Sequence, residues 1–217
     1  MSKLGKLFGG FRRQKRSSSD GPGESRSAIE WVVAGLGNPG GDYARSRHNV
    51  GFMTLERLAR GKNVELSRRR FSGVTAEAEL AGRRAILVEP ETFYNAAGDC
   101  VAGILGYFKI PPANLIVIHD EMDLEAQRLR IKQGGGDAGN RGVRSIAESL
   151  GSTDFIRVRI GLGRPAEGDD PRDYLLRPMR AAELEGFATA LARAAEAVEA
   201  IIGEGLERAM GKYNQRA

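Results

Sequence analysis

Four short runs rich in branched apolar residues, Trp31 to Leu36, Ala85 to Val88, Leu115 to Ile118 and Phe155 to Leu162, recur along the chain with helical patterns between them. This interleaving is the strongest constraint on the fold. Near-continuous apolar runs of strand length suit strands covered on both faces, and helices placed between them supply the cover. Val74 to Leu80 and Arg128 to Lys132 have the mixed polarity of half-exposed or edge strands. Val50, Met53, Leu55, Leu58 and Ala59 fall at helical spacing, as do Val101, Ile104, Leu105 and Phe108 before a stop at Pro111-Pro112. The Ala-, Glu- and Arg-rich segment from Ala181 to Ile202 predicts the longest helix. Together these patterns predict an α/β fold, a single compact domain with a twisted mixed β-sheet flanked by helices. No internal repeat is present.

Charge separates a tail from this domain. Residues 1–28 hold seven basic residues against Asp20 and Glu24, an excess equal to the whole formal +5, so residues 29–217 are formally neutral. The tail also contains SSSDGPGES, without apolar periodicity, which predicts a basic disordered tail over 1–28 and a folded domain over 29–217. Two roles are open to it: a solvated segment that touches polyanions, or a targeting or membrane-surface segment. Leu4, Leu7, Phe8 and Phe11 make only a short apolar face and no secretory core. No run approaches the roughly 20 apolar residues that cross a bilayer. The single cysteine, Cys100, excludes an internal disulfide framework and a Cys-rich zinc cluster. A cytoplasmic monomer without stable membrane association is expected, with an organelle as the alternative if the tail is a transit peptide.

The stretch from Gly35 to Gly51, GLGNPGGDYARSRHNVG, begins with the letters of a dinucleotide-binding turn. Such a turn requires a helix to start inside the glycines, so that free N–H groups meet a pyrophosphate, and an acid at the end of the next strand. Neither holds here. Pro39 interrupts the motif, Gly40-Gly41-Asp42 prolong the turn, the helix is expected only near Asn49, and Glu56 falls on that helix. No Gly-Lys-Ser/Thr follows either glycine run, which removes a phosphate-loop NTPase.

The chain has only two histidines. His48 lies at the mouth of a predicted helix, and His119 closes the run Leu115 to Ile118 and precedes Asp120. Sites in open α/β sheets gather at the carboxyl ends of strands, where Asn38 and Asp120 fall and between which His48 can lie. An imidazole beside a carboxylate is the arrangement of a general base, the acid fixing the tautomer and stabilising the imidazolium. No Gly-x-Ser-x-Gly elbow appears and Cys100 lies in a predicted helix, so water is the expected attacking group. Each residue also has a plain reading: His48 as a helix-cap residue, Asn38 and Asp120 as turn residues, Phe93 and Tyr94 as core or rim aromatics.

The stretches VAGLGNPGGDYARSRHNVGF, VEPETFYNAAG, VIHDEMDL, IKQGGG, RVRIGLGRP and DYLL resemble, in order and spacing, the bacterial-type peptidyl-tRNA hydrolases. The resemblance runs from about Trp31 to the C-terminal helix. It implies an enzyme of translation that cleaves the ester between a peptide and the 3′ ribose of tRNA, recycling prematurely released peptidyl-tRNA without metal or cofactor. It also implies residue roles: His48 as the base, Asp120 as its supporting carboxylate, and Asn38 near the scissile ester, recognising a blocked amino group. Tyr43, Phe93 and Asn95, with Tyr94 among them, match positions lining the channel for the peptide and the tRNA end. Lys132 and Arg159 match a clamp for the tRNA 5′-phosphate, which fits the affinity that backbone phosphates supply through counterion release.

The chain departs from the family pattern in two places. Phe93-Tyr94-Asn95 stands where Phe-Met-Asn is usual, and Gly139-Asn140-Arg141-Gly142 where Gly-His-Asn-Gly is usual, so Arg141 aligns with a substrate-binding asparagine. Arginine cannot accept a hydrogen bond. Either Asn140 takes the vacated role, or Arg141 grips tRNA phosphate at a helix start, or Arg141 points outward into solvent. Two functions are therefore open: the active esterase, which the paired His48 and Asp120 favour, and an RNA-binding relative with impaired chemistry.

Overall fold

The computed structural model of the chain describes residues 28–215. The expected basic tail over 1–28 lies, but for its last residue, outside them. The first strand, β1 (Trp31–Gly35), forms where the sequence places it, and α1 (Val50–Gly61) follows after a loop with two single 3-10 turns. An antiparallel unit comes next: β2 (Arg68–Arg70), β3 (Gly73–Leu80) and β4 (Arg83–Pro90). Then come α2 (Ala97–Phe108), β5 (Leu115–Glu121), β6 (Leu129–Gln133), α3 (Arg141–Leu150) and β7 (Ile156–Gly161). Three helices close the described chain, α4 (Pro171–Leu176), α5 (Ala181–Glu204) and α6 (Leu206–Tyr213).

The seven strands form one mixed sheet in the order β2-β3-β4-β1-β5-β7-β6. The central four, β4, β1, β5 and β7, are parallel, while β2, β3 and β6 run against their neighbours. Alternation along the strands divides the core. Val33, Leu87, Ile116, Ile118 and Val158 point to one face, where α1, α5 and α6 pack, and Val32, Ile86, Val88, Leu115 and Val117 point to the other, under α2 and α3. Each fully buried branched side chain of this kind stabilises the fold by about 1.5–3 kcal/mol.

After β1 the chain goes to the far edge of one side, returns through β3 to β4 beside β1, then crosses to the other side for β5. That reversal opens a crevice at the carboxyl ends of the parallel strands. Close approach of α1 to the sheet depends on Gly51, where an added Cβ would lie 2.4 Å from the Leu36 carbonyl oxygen and 2.5 Å from that of Ile118.

The apolar run of β5 predicts an end at Ile118, but the strand continues through His119 and Asp120 to Glu121. It does so because β7 pairs with it as far as Glu121 opposite Gly161, which satisfies the backbone of the polar residues. β6 is an edge strand as expected, whereas β3 is covered by β2, three consecutive arginines without an apolar signal. Pairing with β3 and ion pairs from Arg68 and Arg70 to Glu77 and from Arg69 to Glu91 hold that strip in place. No helix among the described residues is long and apolar enough to cross a membrane.

Candidate active site

A cleft of about 750 Å³ opens at the crevice. Asn38 enters it after β1, Phe93, Tyr94 and Asn95 after β4, Asp120 to Asp123 from the end of β5, and Arg164 and Pro165 after β7. Asn140 and Arg141 reach it from the start of α3, and α4 supplies Pro171, Arg172, Leu175 and Leu176.

His48 sits on a single 3-10 turn, Arg47–Asn49, just before α1. Its neighbours in sequence hold it. Arg47 is buried, donates to the Tyr174 carbonyl at 3.0 Å, pairs with Glu183 on α5 and lies over the Tyr174 ring. Asn49 does not cap α1; its amide instead accepts from Asn38 N–H and donates to Asn38 C=O, both at 2.9 Å. The loop after β1 is thereby tied to the His48 turn.

His48 Nδ1 lies 3.0 Å from Asp120 Oδ2. Tyr94, only 5% exposed, reaches the other carboxylate oxygen, Oδ1, at 2.5 Å. The two rings are stacked, centroids 3.6 Å apart. Asn140 completes the group. Its Oδ1 accepts from Val143 N–H as the cap of α3, which leaves its Nδ2 to donate to Tyr94 Oη at 2.8 Å. With that lone pair occupied, the phenol hydrogen points to Asp120, and His48 donates Nδ1–H to the same carboxylate. His48 Nε2 then carries the lone pair, and nothing in the described residues bonds to it.

The charge states agree with these directions. Burial opposes ionisation of Asp120, but the His48 ring beside it and the hydrogen bonds from His48 and Tyr94 hold its carboxyl below the ordinary value. Burial, followed by the Asp120 charge, pushes the Tyr94 phenol well above its ordinary range, so it remains a donor. Burial lowers His119 to about 4. Neutral His119 donates Nδ1–H to the Asp120 carbonyl at 2.7 Å, and its Nε2 is buried without a partner.

Asn38 is oriented equally firmly. Its Oδ1 accepts from Tyr94 N–H at 3.0 Å, which directs its NH2 as the free donor of the amide.

Of the residues singled out in the sequence, His48, Asp120, Asn38, Tyr43, Phe93, Tyr94, Asn95, Asn140 and Arg141 all line the cleft. Phe93 is 68% exposed there, and Arg141 is exposed. Lys132 and Arg159 lie elsewhere, on the β6–β7 edge, where Lys132 is opposite Arg157 and Arg130 opposite Arg159. Opposite residues share a face, so four basic side chains stand together on this strip. Arg159 is held by Glu121 through bonds of 2.7 and 3.1 Å, and Lys132 is exposed. Buried Arg157 turns under the glycine loop and donates to the carbonyls of Gly134 and Gly136. Asn49, Arg47 and Glu121 support the site without having been singled out. Their only signal was position, next to His48 and Asp120.

Among the described residues no serine, threonine, cysteine or lysine lines the cleft. Among the described residues no group of three or more His, Cys, Asp or Glu is placed to hold a metal ion. An imidazole oriented by a buried carboxylate, at the carboxyl edge of the parallel strands of a mixed α/β sheet, is the arrangement of a general base.

The comparisons with known proteins narrow this reading. The model of the peptidyl-tRNA hydrolase family matches residues 32–217, and the chain belongs to that family. It is 45% identical over 184 residues to the peptidyl-tRNA hydrolase of Frankia alni, covering 85% of this chain and 93% of that protein. It is 44% identical over 186 residues to that of Trichlorobacter lovleyi, covering 86% and 96%. The crystal structure of peptidyl-tRNA hydrolase from Acinetobacter baumannii superposes with a TM-score of 0.80 at 30% identity, covering 87% of this chain and 97% of that one.

Proposed function

We propose that this chain hydrolyses the ester joining a peptide to the 3′ ribose of tRNA, with His48 as the base that activates water. The observation that carries this reading is the hydrogen-bonded series from Tyr94 through Asp120 to His48, on a cleft that no serine, threonine or cysteine of the described residues lines. Water beside Nε2 gives up its proton as its oxygen attacks the ester carbonyl carbon. The resulting imidazolium is stabilised by the ionised Asp120 behind it. Collapse of the tetrahedral intermediate expels the ribose oxygen, which takes a proton, and frees the peptide carboxylate.

Asn38 accounts for a preference for blocked amino groups. Its free NH2 can donate to the carbonyl of an acylated amine, whereas a free ammonium also donates and finds no acceptor there. Tyr43, Phe93 and Asn95 line the path of the peptide and the tRNA end, and exposed Arg141 meets a substrate phosphate or carboxylate at the start of α3. Lys132 and Arg159, on the basic β6–β7 strip, hold tRNA backbone phosphate away from the chemistry. The chain acts as a monomer in the cytoplasm, a compartment that keeps its lone buried thiol, Cys100, reduced.

The decisive assay is release of peptide from N-blocked aminoacyl-tRNA. Wild-type protein turns it over, and His48→Ala reduces turnover to near background. Undiminished turnover by that variant would remove His48 as the base.

A further inference from the structure

Two of the residues that depart from the family pattern, Tyr94 and Asn140, lie in different segments, yet they touch: Asn140 Nδ2 donates to Tyr94 Oη at 2.8 Å. We propose that they form a positioning pair, through which the cap of helix α3 fixes the Asp120 carboxylate and, with it, the tautomer of His48. The inference rests on the reading of His48 as the base.

The direction of every bond follows from the cap. Because Asn140 Oδ1 accepts from Val143 N–H, the amide cannot rotate without releasing the helix N-terminus. Its NH2 is therefore aimed at the phenol, whose own hydrogen can go only to Asp120 Oδ1. Asp120 is left with Oδ2 as the single acceptor for His48 Nδ1–H. Methionine at position 94 would offer Asp120 no donor. The phenol has a second effect, since its ring lies flat against the imidazole, 14° from parallel, and blocks rotation of His48 toward α3. Gly142 makes room for the ring: a Cβ there would stand 2.6 Å from Tyr94 Cε1.

The electrostatic consequence has a definite sign. Donation from Tyr94 spreads the negative charge of Asp120, so losing the hydroxyl concentrates that charge on His48 and favours the imidazolium. The other titratable or charged groups around the series are His119 with Arg157 near it, Arg47 with its partner Glu183, Tyr43, Arg141, Arg172, Glu121 with its partner Arg159, and the Asp123–Arg164 pair. The substitutions below leave all of them in place.

Tyr94→Phe keeps the ring and removes one oxygen. Asn140→Ser keeps a cap acceptor and removes the amide donor. Tyr94→Phe is expected to lower kcat on N-blocked aminoacyl-tRNA by roughly tenfold or more, the worth of one hydrogen bond to a charged group, and Asn140→Ser by roughly threefold or more, that of a neutral one, with KM within about twofold in both. The acid limb of the kcat/KM profile should move to higher pH in Tyr94→Phe. The double variant should be no worse than the weaker single one, because both break one series. With only two histidines, the 15N imidazole spectrum provides a readout independent of turnover. Wild type should show His48 protonated at Nδ1, and Tyr94→Phe a mixture of tautomers. Unchanged kcat, pH profile and tautomer in folded Tyr94→Phe, while His48→Ala is inactive, would overturn the pair and leave the base intact. Activity retained by His48→Ala would instead overturn the reading beneath it.

Discussion

Tyr94 lies flat against His48, ring centroids 3.6 Å apart, while its hydroxyl grips the carboxylate that the imidazole also holds. One side chain thus limits both the tilt of the proposed base and the rotation of its partner acid. The result is a base that is oriented before substrate arrives, which lowers the reorganisation needed during reaction.

Replacing the acid tests that arrangement directly. In Asp120→Asn the amide presents an NH2 to one of two donors, Tyr94 Oη or His48 Nδ1–H, both of which are aimed at this position. With the NH2 toward His48, the ring shifts to the tautomer with Nε2 protonated and the lone pair is lost from the cleft; with the NH2 toward Tyr94, the negative charge behind His48 is lost instead. The expected fall in kcat is roughly a thousandfold or more. A loss below tenfold in single-turnover assays would show that Asp120 has no part in the chemistry.

Acid stability should carry the mark of His119. Burial lowers this residue to about 4 from 6.5 in the folded state, while the unfolded chain takes up its proton near the ordinary value. The folded state therefore binds fewer protons between these values, and stability falls as pH drops from about 6.5 toward 4. The slope contributed is up to about 1.4 kcal/mol per pH unit. Asp120, held below its ordinary value, contributes stability above the unfolded carboxylate pKa that is lost only at lower pH, as the folded value is passed. Urea denaturation from pH 7 to 5 should show a shallower decline in His119→Asn than in wild type. Parallel declines would contradict the argument.

Salt dependence distinguishes phosphate binding from chemistry. Lys132 lies outside the cleft and is exposed, on the basic β6–β7 strip. Lys132→Ala should weaken tRNA binding and reduce the slope of log K against log salt by about one, with little effect on a short N-blocked aminoacyl nucleotide ester. Equal losses on the two substrates would remove the phosphate contact.

Gly51 tests how tightly α1 seats the site. Because an added Cβ meets backbone oxygens on both β1 and β5, Gly51→Ala must push the helix away from the strands leading to Asn38 and Asp120. A destabilisation of about 2–3 kcal/mol, with reduced turnover, is expected. Gly61→Ala in the same helix meets no atom within 4 Å and should leave stability unchanged or slightly raised. Matching thermal midpoints for the two variants would refute the crowding argument.

The strands and long helices were legible because burial on two faces leaves a dense apolar signal, as in Leu115 to Ile118, and one-sided burial leaves a helical period, as in Val50 to Ala59. β2 was not, because Arg68 to Arg70 is a strand by pairing and ion pairs alone. The short α4 escaped notice too, for it buries no residue and depends on Arg47, Asp170 and Tyr174 for its hold. In the site, His48 and Asp120 could be paired from motif order, yet the role of Tyr94 could not. Sequence shows a phenol in an aromatic segment, and only the fold brings it between an imidazole, a carboxylate and a helix cap.

Helix α4 adds one wall to the cleft, and it is held to the body by Arg47, which reaches the Tyr174 carbonyl, by the Tyr174 hydroxyl, which reaches the Leu162 carbonyl, and by the packing of Tyr174 and Leu175 against the core. One wall of the cleft and the turn that carries His48 are therefore joined mechanically through a single arginine, so a disturbance of α4 is expected to reach the imidazole as well as the cleft.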